Sequence, residues 1–178
     1  MPGSVGGALV MNAGAYGSEI KNILKSARVM TNEGEVLELS RDELELGYRT
    51  SCIPDRGYTV LEASFQLEPG DGAAIEARMK ELAARRREKQ PLEYPSAGST
   101  FKRPQGYFAG KLIEDAGLRG YGMGGARVSE KHCGFVINGG NATASDVMAL
   151  CGHIRKTVLE QSGVELEMEV KRWGNFDL

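Results

Sequence analysis

Residues 95–104, PSAGSTFKRP, are the stretch from which the rest of this chain is best interpreted. The segment places the hydroxyl of Ser99 between a glycine and two basic residues, and a proline bounds it at each end. Glycine lets a backbone approach a ligand closely, and the side chains of Lys102 and Arg103 suit a phosphate or a carboxylate. The same features are typical of an ordinary Gly-Ser turn, so this stretch alone leaves both interpretations open.

The composition predicts a soluble globular protein of the cytoplasm. The 178 residues suffice for one sizeable domain or two small lobes, and 41% of them are hydrophobic. A net charge of −2 argues against a nucleic-acid partner, and the run Arg85–Arg87 is short and lies in a predicted helix. Cys52, Cys133 and Cys151 form no CxxC pair, which favours a reducing compartment. The two histidines predict no metal site, and no signal peptide or membrane span is predicted.

The N-terminal segment PGSVGGALVMNAGAYGSE is rich in glycine. Such a segment lets backbone N–H groups face an anion or a planar ligand, whereas a tightly packed helix of small residues is the structural alternative. It is not a GxGxxG that follows a strand, so a Rossmann dinucleotide site is not predicted. Because Met1 begins inside this glycine-rich turn, we expect the chain to be the later portion of something larger.

Hydrophobic periodicity and turn residues predict an α+β fold. The predicted elements are a hairpin over residues 27–39, strands over 59–66, 124–128, 134–137 and 164–171, and helices over 73–90, 108–116 and 143–162. A capping box at residues 40–43 predicts a further short helix. The break Pro-Gly-Asp-Gly at residues 69–72 predicts the boundary between two lobes, residues 1–70 and 71–178.

The last predicted strand places three carboxylates on one face, those of Glu165, Glu167 and Glu169. A solvent-facing edge explains this pattern without any function. Like charges at this spacing repel, so a cationic ligand or an arginine nearby would stabilise the arrangement.

Three parts of the chain together resemble the UDP-N-acetylenolpyruvoylglucosamine reductase family, also called UDP-N-acetylmuramate dehydrogenase. They are PGSVGGALVMNAGAYGSEI, GYRTS, and PSAGSTFKRP with the later GLRGYGMGGARVSEKHCGFVIN. These motifs are long, they occur in the family's order, and they extend over essentially the whole chain. The pairing of GSTFKRP with SEKH is similar to the shorter class of the family.

The resemblance implies an oxidoreductase of peptidoglycan synthesis, and so of cell-wall biogenesis, cell shape and cell division. NADPH supplies the electrons through FAD, and the enolpyruvyl double bond of UDP-N-acetylglucosamine enolpyruvate is reduced to give UDP-N-acetylmuramate. Hydride addition to the double bond leaves a carbanion next to the substrate carboxylate. Ser99 matches the family's proton donor, and a hydroxyl can protonate this strongly basic carbanion. Arg49 matches the arginine that holds the substrate carboxylate. Glu169 matches the carboxyl group that completes the catalytic site, where a protonated form could donate a hydrogen bond.

The resemblance also implies binding residues. The segment that lies against FAD is matched by Pro2, Gly3, Ser4, Gly6, Gly7, Asn12, Gly14 and Ala15. The substrate is expected to contact Tyr48, Lys89, Arg103 and His132, with the last three on its nucleotide side. Met168 departs from the family, which commonly has proline before the glutamate.

The implied architecture is the second half of a two-part FAD-binding domain, residues 1–70, followed by an α+β substrate-binding lobe, residues 71–178. The family's N-terminal subdomain, with its Gly-Ser-Asn loop for the FAD pyrophosphate, has no counterpart in this sequence. The chain is therefore expected to be a truncated or split form, whose other FAD-binding half could be a separate chain. The alternative function is a non-catalytic module that binds a UDP-sugar.

Overall fold

The chain divides into two compact units, Met1–Asp71 and Gly72–Leu178. The computed structural model describes residues 3–174. Antiparallel sheets and helices occur in both units, which confirms the predicted α+β class. The sequence places the boundary after residue 70, and the structure divides after residue 71.

The first unit is built on a three-stranded antiparallel sheet. Its elements are α1 (Val5–Val10), β1 (Gly14–Ala15), β2 (Ser18–Glu19), a short 3-10 helix (Ile20–Asn22), β3 (Leu24–Met30), β4 (Val36–Ser40), α2 (Cys52–Asp55) and β5 (Thr59–Phe65). Strands β1 and β2 form a separate two-stranded ribbon, and the larger sheet has the order β4-β3-β5. The helix α1 agrees with the interpretation of the N-terminal segment as a helix of small residues.

The hairpin of β3 and β4 forms as predicted, with Ala27 opposite Leu39 and Val29 opposite Leu37. Gly34 occupies the turn at a φ of 87°, a backbone conformation that glycine adopts without steric cost. The core of the unit consists of Leu9, Leu24, Ala27, Val29, Leu39, Leu44, Cys52 and Ile53. The alternating pattern of the hairpin thus places one of its faces in this core.

The short helix predicted to begin at the capping box of residues 40–43 does not form, because residues 41–45 are a turn. The capping interactions do form: the Glu43 carboxylate accepts hydrogen bonds from the Ser40 backbone N–H at 2.8 Å and from its hydroxyl at 2.6 Å. Glu45 then adopts a φ of 51°, outside the right-handed helical region. One turn without continuation gains too few hydrogen bonds to propagate as a helix.

The second unit contains helices and a four-stranded antiparallel sheet. Its elements are α3 (Gly72–Lys89), β6 (Ser96–Ser99), α4 (Ala109–Asp115), β7 (Gly122–Met123), β8 (Ala126–Val128), β9 (Phe135–Asn138) and α5 (Ala144–Ser162). The sheet order is β6-β9-β8-β7. Thr143 caps α5 in a capping box with Asp146, and Gly163 ends the helix at a φ of 71°.

One predicted element of this unit does not form, and one of its helices has no buried residue. The strand predicted over residues 164–171 is wrong, because only one isolated bridge forms, between Phe101 and Met168. The helix α3 contains no buried residue, and Met79 is 66% exposed.

Among residues 3–174, no helix has both the length and the apolar character needed to cross a membrane.

Candidate functional site

Arg49 lies in a two-residue turn between Gly47 and Thr50. The backbones of Gly47 and Thr50 exchange hydrogen bonds of 3.1 Å and 3.4 Å across the turn. Arg49 has a φ of 55°, which is uncommon for a residue with a side chain and is maintained only when neighbouring contacts fix it. Its guanidinium lies 5.5 Å from the ring of Tyr48, which is 55% exposed, and its Nη1 donates to the Gly14 carbonyl at 3.1 Å. The turn therefore presents an aromatic ring and a positive charge together.

Asn12 connects this turn to the glycine-rich segment. Its side chain is 1% exposed, and its Nδ2 donates to the Gly47 carbonyl at 2.9 Å and to the carboxylate of Glu19. Its Oδ1 accepts from the Lys21 backbone N–H at 3.0 Å. Both amide hydrogens and the carbonyl of Asn12 are thus used inside the chain, although the resemblance assigns this residue to FAD.

The other predicted cofactor residues lie at the start of α1 and on β1, and Pro2 lies outside the described residues. Ser4 caps α1, because its hydroxyl accepts a hydrogen bond from the Gly7 N–H at 3.1 Å. Gly3, Ser4, Gly7 and Ala15 are exposed, so a ligand can reach their backbones. This accessible glycine-rich backbone fits a flat cofactor with phosphate groups.

Gly14 has a structural reason of its own to be glycine. A Cβ on Gly14 would lie 2.7 Å from the Glu19 Cγ and 2.9 Å from the Ser18 carbonyl oxygen. Both distances are shorter than a real Cβ atom shows, so the pairing of β1 with β2 requires that residue 14 has no side chain. A glycine in this segment therefore does not by itself indicate contact with a cofactor.

Ser99 lies at the end of β6, where its side chain is exposed. It pairs with Phe135 of β9, and a register shift separates this pair from the pair Ser96 and Ile137. Gly98 stands within that shift at a φ of 92°. This irregularity lies directly before Ser99, and β-bulges are over-represented beside active sites.

Glu169 is brought next to the Ser99 segment by the main chain. Its N–H donates to the carbonyl of Thr100 at 2.9 Å, and the Lys102 N–H donates to the carbonyl of Glu167 at 2.8 Å. Thr100 is buried, and its hydroxyl accepts from the Val136 N–H at 2.9 Å. The two residues predicted to supply a proton and to complete the site, Ser99 and Glu169, thus lie on adjoining segments of one unit.

Two of the three carboxylates predicted to share one face at residues 165–169 form ion pairs with basic side chains of the same chain. Arg155 pairs with Glu165 at 3.1 Å, and Lys102 pairs with Glu167. No external cationic ligand is needed to explain those two carboxylates.

The predicted nucleotide-side residues lie in the second unit. Arg103 is exposed, with its guanidinium 4.0 Å from the centre of the Phe108 ring and its Nε donating to the Tyr107 carbonyl at 3.2 Å. The Nδ1 of His132 accepts from the Gly134 N–H at 3.1 Å, and burial lowers the pKa of this imidazole below 6.5. Lys89 is the exposed last residue of α3.

The loop that carries His132 is tied to the end of α3 by a residue that the sequence interpretation missed. Lys131 Nζ donates to the Arg87 carbonyl at 2.9 Å, and it lies 3.4 Å from the carboxylate of Glu93. A basic side chain at a helix C-terminus also interacts favourably with the helix dipole. This contact links the two segments that bear Lys89 and His132.

Comparison with known proteins gives two family matches. Residues 90–173 match the family described as UDP-N-acetylenolpyruvoylglucosamine reductase, C-terminal domain, and residues 1–40 match the family described as FAD binding domain. The chain is 62% identical over 176 residues to the UDP-N-acetylenolpyruvoylglucosamine reductase of Agathobacter rectalis, an alignment that covers 99% of this chain and 56% of the relative. It is 59% identical to the Geobacillus thermodenitrificans protein of the same name, covering 98% and 57%.

The crystal structure of UDP-N-acetylenolpyruvylglucosamine reductase (MurB) from Thermus caldophilus superimposes with a TM-score of 0.79 and 36% identity. That match covers 93% of this chain and 59% of the other. Nearly the whole chain is thus similar to UDP-N-acetylenolpyruvoylglucosamine reductases. The chain spans about half the length of the curated relatives that it matches.

The family matches divide the predicted site residues into groups. Ser99, Arg103, His132 and Glu169 lie within the match to the reductase C-terminal domain. The glycine-rich residues lie within the match to the FAD binding domain, whereas Arg49 and Lys89 lie outside both. Residues 3–174 contain no group of three or more His, Cys, Asp or Glu side chains that could hold a metal ion.

The three cysteines are buried free thiols. Burial raises the pKa of the Cys151 thiol to about 11 and raises the pKa of the Cys133 thiol above 9.0. Both groups are therefore protonated at neutral pH and serve as small apolar residues of the core.

Proposed function

We propose that this chain carries the residues for NADPH-dependent, FAD-mediated reduction of UDP-N-acetylglucosamine enolpyruvate to UDP-N-acetylmuramate, in the cytoplasmic part of peptidoglycan synthesis. The observation that carries the proposal is the 62% identity to a UDP-N-acetylenolpyruvoylglucosamine reductase over 99% of this chain. Because the relatives are longer, the proposal includes a contribution from the part of their sequence that this chain does not cover, in the same or a separate polypeptide.

FAD is proposed to lie along the exposed backbones of Gly3, Ser4, Gly7 and Ala15, where it would supply hydride chemistry with electrons from NADPH. Exposed backbone without bulky side chains allows close approach of a phosphate or a planar ring. Gly6 and Gly14 would shape this segment, and Gly14 is supported in that role by the close approach of Glu19.

Arg49 is proposed to hold the carboxylate of the enolpyruvyl group, beside Tyr48. A guanidinium offers two parallel N–H donors to a carboxylate. Addition of a hydride to the double bond builds negative charge next to that carboxylate, and a fixed positive charge stabilises it most when the charge is greatest. The constrained turn supports this role, since a preorganised group needs no rearrangement during the reaction.

Ser99 is proposed to donate a proton to the resulting carbanion, and Glu169 to complete the site. The exposed hydroxyl of Ser99 is accessible to a substrate, and general acid catalysis requires contact within hydrogen-bond distance. The main-chain link from Glu169 to Thr100 supports joint action of these residues.

Lys89, Arg103 and His132 are proposed to contact the nucleotide side of the substrate. Two of them carry permanent positive charge, which suits a diphosphate. The flat Arg103 guanidinium on the Phe108 ring also supports stacking of a further planar group.

The test separates the two half-reactions. The chain is incubated with FAD and desalted, and flavin absorbance near 450 nm, roughly, reports retention. Flavin reduction by NADPH and formation of UDP-N-acetylmuramate are then measured, with and without the uncovered part of the Agathobacter rectalis relative. We expect Ser99→Ala to keep flavin reduction and lose product formation, while Ser96→Ala on the same strand keeps both. Equal loss of both half-reactions in Ser99→Ala would refute the assignment of Ser99 as the acid.

A further inference from the structure

Asn12 is the most completely buried polar side chain next to a proposed catalytic residue. It is 1% exposed, and it has a φ of 41°. Buried polar side chains are retained when their hydrogen bonds are satisfied, and this amide uses both N–H groups and its carbonyl. A cofactor contact would need a polar atom that a ligand could reach, and the burial of this side chain leaves none.

The hydrogen bonds of Asn12 lead to Arg49. Its Nδ2 donates to the carbonyl of Gly47, which opens the Tyr48–Arg49 turn, at 2.9 Å. In the opposite direction, Arg49 Nη1 donates to the carbonyl of Gly14 at 3.1 Å. Two side-chain-to-backbone bonds thus run in opposite directions between segments that lie 35 residues apart in sequence.

The Ser51 hydroxyl attaches the other end of the turn to the same segment. It donates to the Val10 carbonyl at 2.7 Å, at the end of α1. The turn is therefore held on both sides by residues 10–14. Because Arg49 has an unfavourable positive φ, such external contacts decide whether it keeps this conformation.

We propose that Asn12 is a positioning residue, which fixes the Tyr48–Arg49 turn so that the guanidinium is set for a carboxylate. This inference rests on the proposed function of Arg49. It assigns Asn12 an effect on the substrate through Arg49, in place of the contact with FAD that the resemblance implies.

The first experiment needs no cofactor or substrate. Trypsin cleaves after Arg49 only when the turn opens, so the native-state cleavage rate at Arg49–Thr50 reports the open population. We expect Asn12→Asp, in which a carboxylate replaces the amide donors facing Gly47 and Glu19, to raise this rate at least about tenfold. Cleavage at Arg119–Gly120 in the other unit is the internal reference. Glu19→Gln, which keeps the Asn12–Gly47 bond, should leave the rate within about twofold.

The second experiment asks whether the effect reaches a carboxylate ligand. Calorimetric affinities are measured for UDP-N-acetylglucosamine enolpyruvate and for UDP-N-acetylglucosamine, which lacks the enolpyruvyl carboxylate. We expect Asn12→Asp to weaken the first at least about tenfold and to leave the second within about twofold. In an Arg49→Gln background, Asn12→Asp should cause no further loss, because the two residues act through one contact.

The outcomes that would contradict the positioning role of Asn12 can be told apart. Unchanged cleavage together with lower FAD retention would overturn the positioning role and favour a cofactor contact. Additive losses of substrate affinity in the double variant would show that Asn12 does not act through Arg49. Equal weakening of both sugar nucleotides would assign Asn12 to general stability. If the unmodified chain binds neither nucleotide even together with the uncovered part of the Agathobacter rectalis relative, the proposed function fails. The tryptic rates alone then decide whether Asn12 holds the Arg49 turn.

Discussion

Arg49 and Ser99, the two residues with the most distinct proposed roles, are held in different ways. The turn of Arg49 is fixed by side chains that reach across the first unit, those of Asn12, Ser51 and Arg49 itself. Ser99 is fixed by the main chain, through the pairing of β6 with β9 and the adjoining bond from Glu169 to Thr100. The position of Arg49 thus depends chiefly on individual side chains, whereas the position of Ser99 depends chiefly on a ladder of main-chain hydrogen bonds between strands.

This difference has a consequence for tolerance to substitution. A ladder survives most replacements, because every residue except proline offers the same backbone groups. A contact made by one side chain is lost when that side chain is changed. Single substitutions should therefore displace Arg49 more readily than Ser99.

The largest effect is expected for Asn12→Ala. The carbonyl of Gly47 would keep only its longer bond from the Thr50 N–H, and the N–H of Lys21 would lose its acceptor, both in a partly buried region. This should lower the free energy of unfolding of the first unit by about 2–3 kcal/mol. Denaturant unfolding followed by circular dichroism measures the change. A loss below about 1 kcal/mol would mean that the turn does not depend on this amide.

A smaller loss is expected for Thr100→Val in the second unit. The valine keeps the shape but leaves the buried N–H of Val136 without its acceptor, at a cost of about 1–2 kcal/mol. The tryptic and denaturant profiles of the first unit should not change. If Thr100→Val destabilised the chain more than Asn12→Ala, the contrast between the two units would be contradicted.

The pH dependence of stability tests a side-chain interaction of the second unit that does not involve Ser99. Asp146 forms this interaction, the capping box with Thr143 at the start of α5. Hydrogen bonds from Thr143, and a weaker one from the Gly125 N–H, hold the pKa of Asp146 below its usual value. Its contribution to stability is therefore present above the unfolded pKa, about 3.9, and is lost as pH falls through the lower folded pKa. Unfolding measured from pH 5 to pH 2, roughly, should show this slope in the native chain and a flatter one in Asp146→Asn. Equal slopes would argue against the cap.

The smallest effect is expected at His132. Burial lowers the pKa of this imidazole, so its stabilising contribution is complete above about pH 6.5 and declines as pH falls from there towards the folded pKa. NMR titration of the imidazole signals, assigned with His132→Gln, measures the folded pKa. A value of 6.5 or higher would show that the ring is not held in its neutral form by burial.

The sequence predicted those parts of the fold that depend on local patterns. The hairpin of β3 and β4, the strand β5 and the helices α3, α4 and α5 all carry periodicity or caps within a single stretch. The strand predicted over residues 164–171 failed because its alternation is real but its partner offers only a bridge at Phe101. Pairing is a property of two segments, and one segment's pattern cannot show how long its partner continues.

The candidate residues could be predicted from motifs, whereas the hydrogen bonds that hold them in place could not. Nothing in the local sequence connects Asn12 with Gly47, or Lys131 with Arg87, because these contacts join residues far apart in the chain. The sequence shows only an asparagine in a glycine-rich segment, and the resemblance assigns that segment to cofactor binding. Long-range side-chain contacts require the fold to be known.

The most direct test of the proposed function is product analysis in D₂O. The chain, with the uncovered part of the Agathobacter rectalis relative, is given FAD, NADPH and UDP-N-acetylglucosamine enolpyruvate, and the sugar nucleotide is analysed by mass spectrometry and NMR. The account predicts UDP-N-acetylmuramate with a solvent deuteron on the carbon beside the carboxylate, and no such product from Ser99→Ala. Recovery of unchanged substrate from the native sequence, with flavin bound and reduced, would contradict it.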